Sequence, residues 1–373
     1  MPAPRTYLDY NASAPIRPEA AAAMVDALRE PGNPSSVHGF GRRSRRLVED
    51  ARESVAALVG ARPREVVFTS GATEANDLAL NGTGRRRVLV SAVEHDSVRL
   101  SRADAEFVPV DGNGIVELVR LEEMLAADAR PSVVSVMFAN NETGVIQPLE
   151  RVVEVAKRHG ALVHSDATQA PGRAALDFAG LGVDLMSVSA HKLGGPPGAG
   201  ALIVADRVGL AARLKGGGQE RGWRAGTESW AAIAGFGAAA LAARRELVDA
   251  PRIEAMRDQL EERALAAMPA ARIHGRAAAR LGNTSCLGVA GDSAETLVIA
   301  LDLAGIAVSA GAACSSGKVK ASPVLAAMGV GAAEAAAAIR VSLGWRSEPA
   351  DVDHFIGAWT AFHARRENKL AAA

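Results

Sequence analysis

The stretch ALVHSDATQAPGRAALDFAGLGVDLMSVSAHKLGG, residues 161–195, contains two apolar runs that both lead to residues able to do chemistry. The first run, Ala161–Ser165, is followed by Asp166, and the second, Asp184–Val188, is soon followed by Lys192. Short apolar runs bounded by turn residues are typical of buried strands. Because ligands of open α/β sheets bind where such strands end, the stretch predicts a ligand site that contains Asp166 and Lys192.

Similar apolar runs alternate with amphipathic helical stretches along much of the chain. The predicted strands are Glu65–Thr69, Arg87–Ser91, Val133–Phe138, Ala161–Ser165 and Ala201–Val204. The predicted helices are Arg42–Val59, Glu74–Leu80, Leu121–Ala126 and Leu149–Arg158. This alternation predicts an α/β fold with a mostly parallel sheet and helices on both faces.

The pattern changes near Pro251, where a long charged helix, Ile253–Met268, precedes separate short segments. The chain has 373 residues, which is long for one small domain. We therefore predict a large domain over residues 16–250. Residues 1–15 and 251–373 would form a smaller α+β domain that carries the segment around Cys314.

Composition argues against several classes of protein. A formal net charge of 0 disfavours a nucleic-acid-binding surface and a polybasic membrane anchor. We see no apolar core of a secretory signal in residues 1–11, and we expect Ala231–Ala243 to form a packed helix because it is too short to span a membrane. Two cysteines, Cys286 and Cys314, suggest neither a disulfide framework nor a CxxC motif. We assign no metal site and expect a reducing, cytoplasmic location.

Lys192 lies in SAHKLGGP, residues 189–196, after a predicted strand. A lysine that condenses with an aldehyde must lose its proton, so it needs a fixed and partly desolvated position. A strand end followed by a Gly/Pro turn provides one, and an ordinary surface lysine is the alternative. Asp166 can pair with a protonated pyridine nitrogen, or it can merely cap the next helix. Together the two residues favour a pyridoxal-phosphate site.

A phosphate cradle is predicted in FTSGATE, residues 68–74, where a strand passes through a glycine into a helix. The amides from Ala72 onward would point out of the helix N-terminus toward an anion. Thr73 adds a hydroxyl, and Ser189 and His191 can donate to the same phosphate. Many such junctions merely cap a helix, so the phosphate-binding interpretation depends on its combination with Lys192.

Two further polar residues follow predicted strands. His95 comes after the run Val88–Val90 and could stack on a flat cofactor ring and move protons. Asn141 follows Val133–Phe138 and could bind a ring oxygen or a substrate carboxylate. The alternatives are a capped loop histidine and a turn built from Asn and Gly.

Cys314 lies among small residues in SAGAACSSGK, residues 309–318, which favours an exposed and reactive thiol on a mobile loop. Cys286 lies in the apolar run Thr284–Val289 and is expected to be buried and structural. Arg340 has a strand-like apolar setting, where an unpaired arginine is costly. A clamp on an amino-acid α-carboxylate would explain it, and a structural ion pair would explain it equally well.

Together these segments resemble the cysteine desulfurases of the NifS/IscS-like type, which belong to the fold-type-I, aspartate-aminotransferase-like pyridoxal-phosphate enzymes. The order and spacing of the segments carry the resemblance, which spans nearly the whole chain. The matching segments are Tyr7–Tyr10, Gly32–Ser36, Thr69–Glu74, Glu94–His95, Asn140–Gly144, Asp166–Gln169, Ser189–Lys192, Gly216–Thr227, Ser309–Ser316 and Ser342–Gly344. One departure is Asn11-Ala12-Ser13-Ala14-Pro15, where the family usually has x-Ala-Thr-Thr-Pro. We expect it to affect loop packing without removing a catalytic group.

The resemblance implies a role for each site residue. Lys192 would hold pyridoxal phosphate as a Schiff base and remove the Cα proton of L-cysteine. The ring ligands would be Asp166 at the pyridinium nitrogen, Gln169 at the ring hydroxyl oxygen and His95 stacked on the ring. The phosphate ligands would be Ala72, Thr73, Ser189, His191 and the partner subunit's Thr227. Asn141 and Arg340 would hold the substrate carboxylate, with Asn141 also near the cofactor.

The implied reaction converts L-cysteine to L-alanine and leaves the sulfur on Cys314 as a persulfide. An acceptor, such as an iron–sulfur scaffold or another sulfur-trafficking protein, would then take it from a cytoplasmic homodimer that binds neither nucleic acid nor membrane. A selenocysteine lyase and an aminotransferase are alternatives on the same scaffold. A catalytically silent sulfur carrier is an alternative from another class, and it would not need Lys192 together with Asp166.

Overall fold

The structure is a computed structural model that describes residues 5–311 and 322–371, with side chains described up to residue 366. Cys314 lies outside the described residues. The strands are β1 (Thr6–Tyr7), β2 (Val66–Thr69), β3 (Arg87–Ser91), β4 (Glu106–Val108), β5 (Ser132–Ser135), β6 (Leu162–Asp166), β7 (Leu185–Ser189), β8 (Gly200–Val204), β9 (Ala271–Ile273), β10 (Thr284–Val289), β11 (Ile306–Ala307), β12 (Ser309–Ala310) and β13 (Ile339–Ser342).

The helices range from single turns to long rods. They are α1 (Pro18–Leu28), α2 (Gly39–Val59), α3 (Ala72–Gly82), α4 (Asp96–Arg99), α5 (Leu118–Ala127), α6 (Leu149–Arg158), α7 (Phe178–Leu181), α8 (Trp230–Arg245), α9 (Ala250–Ala267), α10 (Ala294–Leu303), α11 (Pro323–Ala327), α12 (Ala332–Ala335) and α13 (Pro349–Ala371). Short 3-10 turns lie at Pro63–Glu65, Ala190–Lys192, Gln219–Gly222 and Glu246–Asp249.

A seven-stranded sheet in the order β2-β8-β7-β6-β5-β3-β4 forms the centre of the molecule. Only β8 runs antiparallel to its neighbours in this sheet. The predicted α/β fold with a mostly parallel sheet is therefore confirmed. The predicted strand Val133–Phe138 is too long, because regular pairing ends at Ser135, although the amides of Val136 and Phe138 still bond to carbonyls at the end of β6.

The sheet is buried on both faces, which explains why its strands are apolar runs rather than alternating patterns. Every residue of β7 is buried, and Leu185, Met186 and Val188 belong to the main hydrophobic core. Helix α6 has the predicted bounds, and it buries Leu149, Val152, Val153 and Ala156 on one face. Each of the buried leucine and valine side chains contributes about 1.5–3 kcal/mol when it is removed from water.

A second hydrophobic core lies among α9, α10, α13 and the sheet β12-β13-β10-β9. Its buried side chains include Leu260 and Trp359, and the N-terminal segment adds Leu8. Strand β1 also pairs with β11, so both ends of the chain contribute to this region. We propose that it is the smaller domain, and the predicted bounds of the two domains remain a prediction.

The Ala-rich segment Ala231–Ala243 lies within α8, which packs against α1 and α2. The packed-helix interpretation of this segment is therefore confirmed. Within the described ranges, none of the helices combines the length and the apolar character needed to cross a membrane.

Candidate active site

A cleft of about 480 Å³ opens at the carboxyl ends of the parallel strands. Its volume is that of a typical small-molecule site. The structure places most of the predicted site residues in its wall: Ala72, Thr73, His95, Asn141, Asp166, Gln169, Ser189, His191, Lys192 and Arg340. Thr227 is exposed and does not line this cleft, while Cys314 lies outside the described residues. The roles of all these residues remain predictions.

Lys192 ends the 3-10 turn that follows β7, and its amine is anchored by the N-terminal segment. Nζ donates to the carbonyl oxygens of Asn11 at 2.6 Å and Ala12 at 2.9 Å. The side chain is half-buried, because the N-terminal segment covers part of it. The lysine thus occupies the fixed and partly desolvated position that a reaction with an aldehyde needs.

Asp166 is the last residue of β6, and the residue is only 6% exposed. Oδ2 accepts a hydrogen bond from Asn76 Nδ2 at 2.8 Å, and Oδ1 accepts one from the Thr168 amide at 3.0 Å. These two donors hold the carboxylate in one orientation. Asp166 therefore caps the following turn and also faces the cleft, so the two interpretations of this residue are compatible.

His164 lies two residues before Asp166 on β6 and is completely buried. Its Nδ1 contacts Ser135 Oγ at 2.8 Å, and its Nε2 contacts Ser187 Oγ at 2.9 Å. Burial lowers the pKa of His164 to about 4, although the Asp166 charge acts in the opposite direction. The ring is therefore neutral at physiological pH and leaves the Asp166 charge available to a cation in the cleft.

The opposite side of the cleft is the N-terminus of α3. The first amides of a helix lack intrahelical partners, so those of Ala72 and Thr73 can bind an anion. The preceding turn lies very close to β8, because a Cβ on Gly200 would lie 2.6 Å from Gly71 Cα. Only glycine fits at position 200 without displacing this turn. Residue 200 thus helps to position the anion-binding amides.

His191 lines the same cleft, and its Nδ1 contacts Ser13 Oγ at 3.3 Å. Burial and the nearby charge of Lys192 lower the pKa of His191 to about 4. The residue would therefore bind a phosphate as a neutral hydrogen-bonding group.

His95 caps the short helix α4, since its Nδ1 accepts a hydrogen bond from the Ser97 amide at 3.1 Å. A neutral imidazole with an acceptor at Nδ1 carries its proton on Nε2. The histidine therefore caps α4, and it also lines the cleft.

Arg340 lies on β13, where it is 4% exposed. Nη2 donates to Asp9 Oδ1 at 2.7 Å, and Nη1 donates to the Asn141 carbonyl oxygen at 3.1 Å. The structural ion pair considered from the sequence therefore exists. In the described part of the chain, Nε is buried without a hydrogen-bond partner, which leaves a donor that suits a substrate carboxylate.

Cys286 pairs with Arg340 across β10 and β13 and is 3% exposed. Burial is the main cause that raises the pKa of its thiol above the ordinary value. The prediction of a buried, structural cysteine is confirmed.

Comparison with known proteins decides the family. Residues 6–355 match the model of the aminotransferase class-V family. The chain belongs to that family. It is 41% identical over 370 residues to a cysteine desulfurase of Cereibacter sphaeroides, with 94% of each chain covered. It is 40% identical to an IscS-like cysteine desulfurase of Mycobacterium tuberculosis, with 98% of each covered.

Among solved structures, a NifS-like protein from Rickettsia africae superposes with a TM-score of 0.90 at 33% identity. The superposition covers 97% of this chain and all of that one. These likenesses confirm the predicted fold type, and they place the chain in the cysteine desulfurase group of the class-V aminotransferases. The predicted resemblance and enzyme class are therefore correct.

Asn11 also lines the cleft, and its part in the site was not predicted from the sequence. Its carbonyl oxygen accepts hydrogen bonds from Lys192 Nζ and from Gln169 Nε2. Its Nδ2 donates to the Asn141 carbonyl oxygen at 3.0 Å and to Thr284 Oγ1 at 2.9 Å. The only available signal was that Asn11 opens the segment that departs from the family pattern.

Glu94 is a second missed residue. It lines the cleft and is 1% exposed. Its Oε1 accepts a hydrogen bond from the Met137 amide, whereas Oε2 has no hydrogen-bond partner among the described residues. Burial, followed by the charge of Asp166, raises the pKa of Glu94 well above the ordinary value for a carboxyl group. Glu94 belongs to one of the segments that match the family, but no local pattern shows that it is buried near Asp166.

Proposed function

We propose that the cleft binds pyridoxal phosphate and L-cysteine, and that the protein releases L-alanine and transfers the sulfur to Cys314. The observation that carries this proposal is the arrangement of three groups around one cleft. The amine of Lys192, the carboxylate of Asp166 and the N-terminus of α3 all line it. These groups match the aldehyde, the ring nitrogen and the phosphate of the cofactor.

The chemistry of the donors supports the fit. Backbone amides, Thr73, Ser189 and neutral His191 would hold the phosphate at one end. Asp166, fixed by two hydrogen bonds, would hold the proton on the ring nitrogen at the other. Thr168 also lines the cleft, and its Oγ1 has no hydrogen-bond partner in the described ranges.

When bound, pyridoxal phosphate supplies an electron sink for the bonds broken at the substrate Cα and Cβ. Lys192 Nζ would take the Cα proton in its uncharged form and return a proton later. Arg340 Nε and the Asn141 side chain would orient the substrate carboxylate. His95 would stack on the ring.

The sulfur step needs no external oxidant. The Cys314 thiolate would form a sulfur–sulfur bond with the substrate while the substrate Cβ–S bond breaks. The electrons of that bond stay with Cβ, which gains a proton. L-cysteine and the Cys314 thiol thus become L-alanine and a Cys314 persulfide. A sulfur-acceptor protein, such as an iron–sulfur scaffold, would take the outer sulfur.

We further propose a homodimer in which the partner subunit's Thr227 completes the phosphate site. Two observations on this chain support that arrangement: Thr227 is exposed here, and the neighbouring Arg224 is tied at 2.8 Å to Glu74 of the phosphate cradle. The segment that carries Thr227 thus lies beside the phosphate end of the cleft at the protein surface.

Absorbance and product assays test the function. Purified protein incubated with pyridoxal phosphate should gain the visible band of a lysine-bound cofactor, and the Lys192→Ala variant should lack it. Alanine should form from cysteine in the wild type and fall to background in Cys314→Ser. Cys286→Ala is the matched control, because it removes the other thiol and should still turn over.

Three other outcomes would each contradict a different part of the proposal. A wild-type protein that stays colourless with the cofactor contradicts the whole proposal and favours the sulfur carrier. Equal alanine formation in wild type and Cys314→Ser contradicts the persulfide step alone. Activity with selenocysteine but not cysteine would favour the selenocysteine lyase.

A further inference from the structure

Arg173 ties three segments of the site together, although it does not line the cleft. Its Nη2 donates to the carbonyl oxygens of Tyr10 at 3.0 Å and Lys192 at 3.2 Å. Its Nη1 donates to the Gln169 carbonyl oxygen at 3.2 Å and to Gln169 Oε1. The residue lines a smaller cavity behind Lys192, so it acts from behind the cofactor-binding wall.

The charge of Arg173 is unusual because it is met by carbonyl oxygens. No carboxylate of the described ranges forms a salt bridge with it. Burial, together with the charge of Arg340, lowers the pKa of the Arg173 guanidinium to about 9, so it stays charged at neutral pH. A half-buried cation held by carbonyl groups is costly to keep, which suggests that its contacts serve the site.

The contacts of Arg173 decide how the Gln169 amide is oriented. A guanidinium has only donors, so the Gln169 atom facing it must be the oxygen. The Asn11 carbonyl oxygen only accepts, so its partner at 3.1 Å must be Gln169 Nε2. Gln169 is 5% exposed and lines the cleft. The second hydrogen on Nε2 is therefore the polar group that Gln169 can present to a ligand.

We propose that Arg173 is a positioning residue that holds the Gln169 amide with its donor toward the cleft and so stabilises an anionic oxygen bound there. The inference rests on the proposed function, in which that oxygen belongs to the ring of pyridoxal phosphate. Without Arg173, the Gln169 oxygen loses its donor and only the Asn11 carbonyl oxygen still orients the amide, so the donor toward the cleft is held less firmly. The effect passes through Gln169, because Arg173 itself does not line the cleft.

The pH dependence of the cofactor spectrum tests this role independently of turnover. A donor to the ring oxygen favours the form that has lost the proton shared between that oxygen and the lysine nitrogen. When the pH is raised, this donor therefore lowers the pH at which the visible band disappears. We expect Arg173→Met to raise that pH by about one unit, the shift expected from one hydrogen bond. Gln169→Leu should raise it by a similar amount.

The double variant separates positioning from charge. If Arg173 acts through Gln169, adding Arg173→Met to Gln169→Leu should shift the spectrum no further. An unchanged transition in Arg173→Met overturns the proposal. So does a full further shift in the double variant, because the charge of Arg173 would then act without Gln169.

Arg173→Lys covers the case in which Arg173→Met does not fold, as judged by circular dichroism. Lysine keeps the charge and loses the forked donor, so any rise in the transition pH reports lost positioning. We expect a smaller rise than for methionine, and no rise contradicts the proposal. A wild-type protein that stays colourless is a different result, since it refutes the proposed function rather than the role of Arg173.

Discussion

At one end of the cleft, the N-terminus of α3 and neutral His191 face the position proposed for a phosphate. At the other end, the single carboxylate of Asp166 faces the position proposed for a ring nitrogen. At the first end, several uncharged donors would share the binding of the phosphate. At the second end, one charged group would interact with the ring nitrogen. A single substitution should therefore do far more damage at the Asp166 end than at the phosphate end.

The largest expected effect is that of Asp166→Asn. The amide keeps the shape of the side chain but removes the charge that holds a proton on the ring nitrogen. We expect turnover of cysteine to fall about a hundredfold to a thousandfold, as when a focused electrostatic stabiliser is removed. The variant should still become yellow with the cofactor. A turnover close to that of the wild type would show that the reaction does not depend on the charge of Asp166.

The second prediction concerns His164, which is buried behind the Asp166 end. Its pKa is lowered from 6.5 to about 4 in the fold, so the unfolded chain binds more protons between these values. Its contribution to stability is present above pH 6.5 and is lost as the pH falls toward 4.

Comparison with His164→Asn measures this effect. The difference in free energy of unfolding between wild type and variant should shrink by about 3 kcal/mol from pH 6.5 to pH 4. Urea unfolding at several pH values checks it. A constant difference would mean that the pKa of His164 is the same in the folded and the unfolded chain, and the electrostatic account of this end would then fail.

The smallest expected effect is that of Thr73→Val at the phosphate end. Removal of one hydroxyl among several donors should weaken cofactor binding about tenfold, and turnover at saturating cofactor should stay close to that of the wild type. Titration of the cofactor, followed by the visible band, measures the affinity. If Thr73→Val damages turnover as much as Asp166→Asn does, the proposed contrast between the two ends is wrong.

The sequence was sufficient for the parts of the fold that local patterns encode. Buried parallel strands such as β6 and β7 are short apolar runs, and their ends mark Asp166 and Lys192 directly. The exact end of β5 could not be predicted, because Val136–Phe138 stays apolar after regular pairing ceases. Strands of two residues, such as β1 and β12, are too short to show a period.

The supporting residues of the site depend on contacts between distant parts of the chain. Asn11 reaches Thr284 across 273 positions, and Arg173 reaches Tyr10 across 163. No local motif encodes such pairs, so the sequence alone marks neither Asn11 nor Arg173 as a site residue. The burial of Glu94 beside Asp166 depends in the same way on how the ends of β3 and β5 come together.

The most direct test of the central claim follows the sulfur itself. The cofactor-loaded protein is given one equivalent of L-cysteine, and the peptide containing Cys314 is examined by mass spectrometry without a reducing agent. The proposal predicts one equivalent of L-alanine and one added sulfur atom on Cys314, with neither product in Lys192→Ala. Alanine formed without sulfur on Cys314, or an added sulfur that also appears in Lys192→Ala, would contradict it.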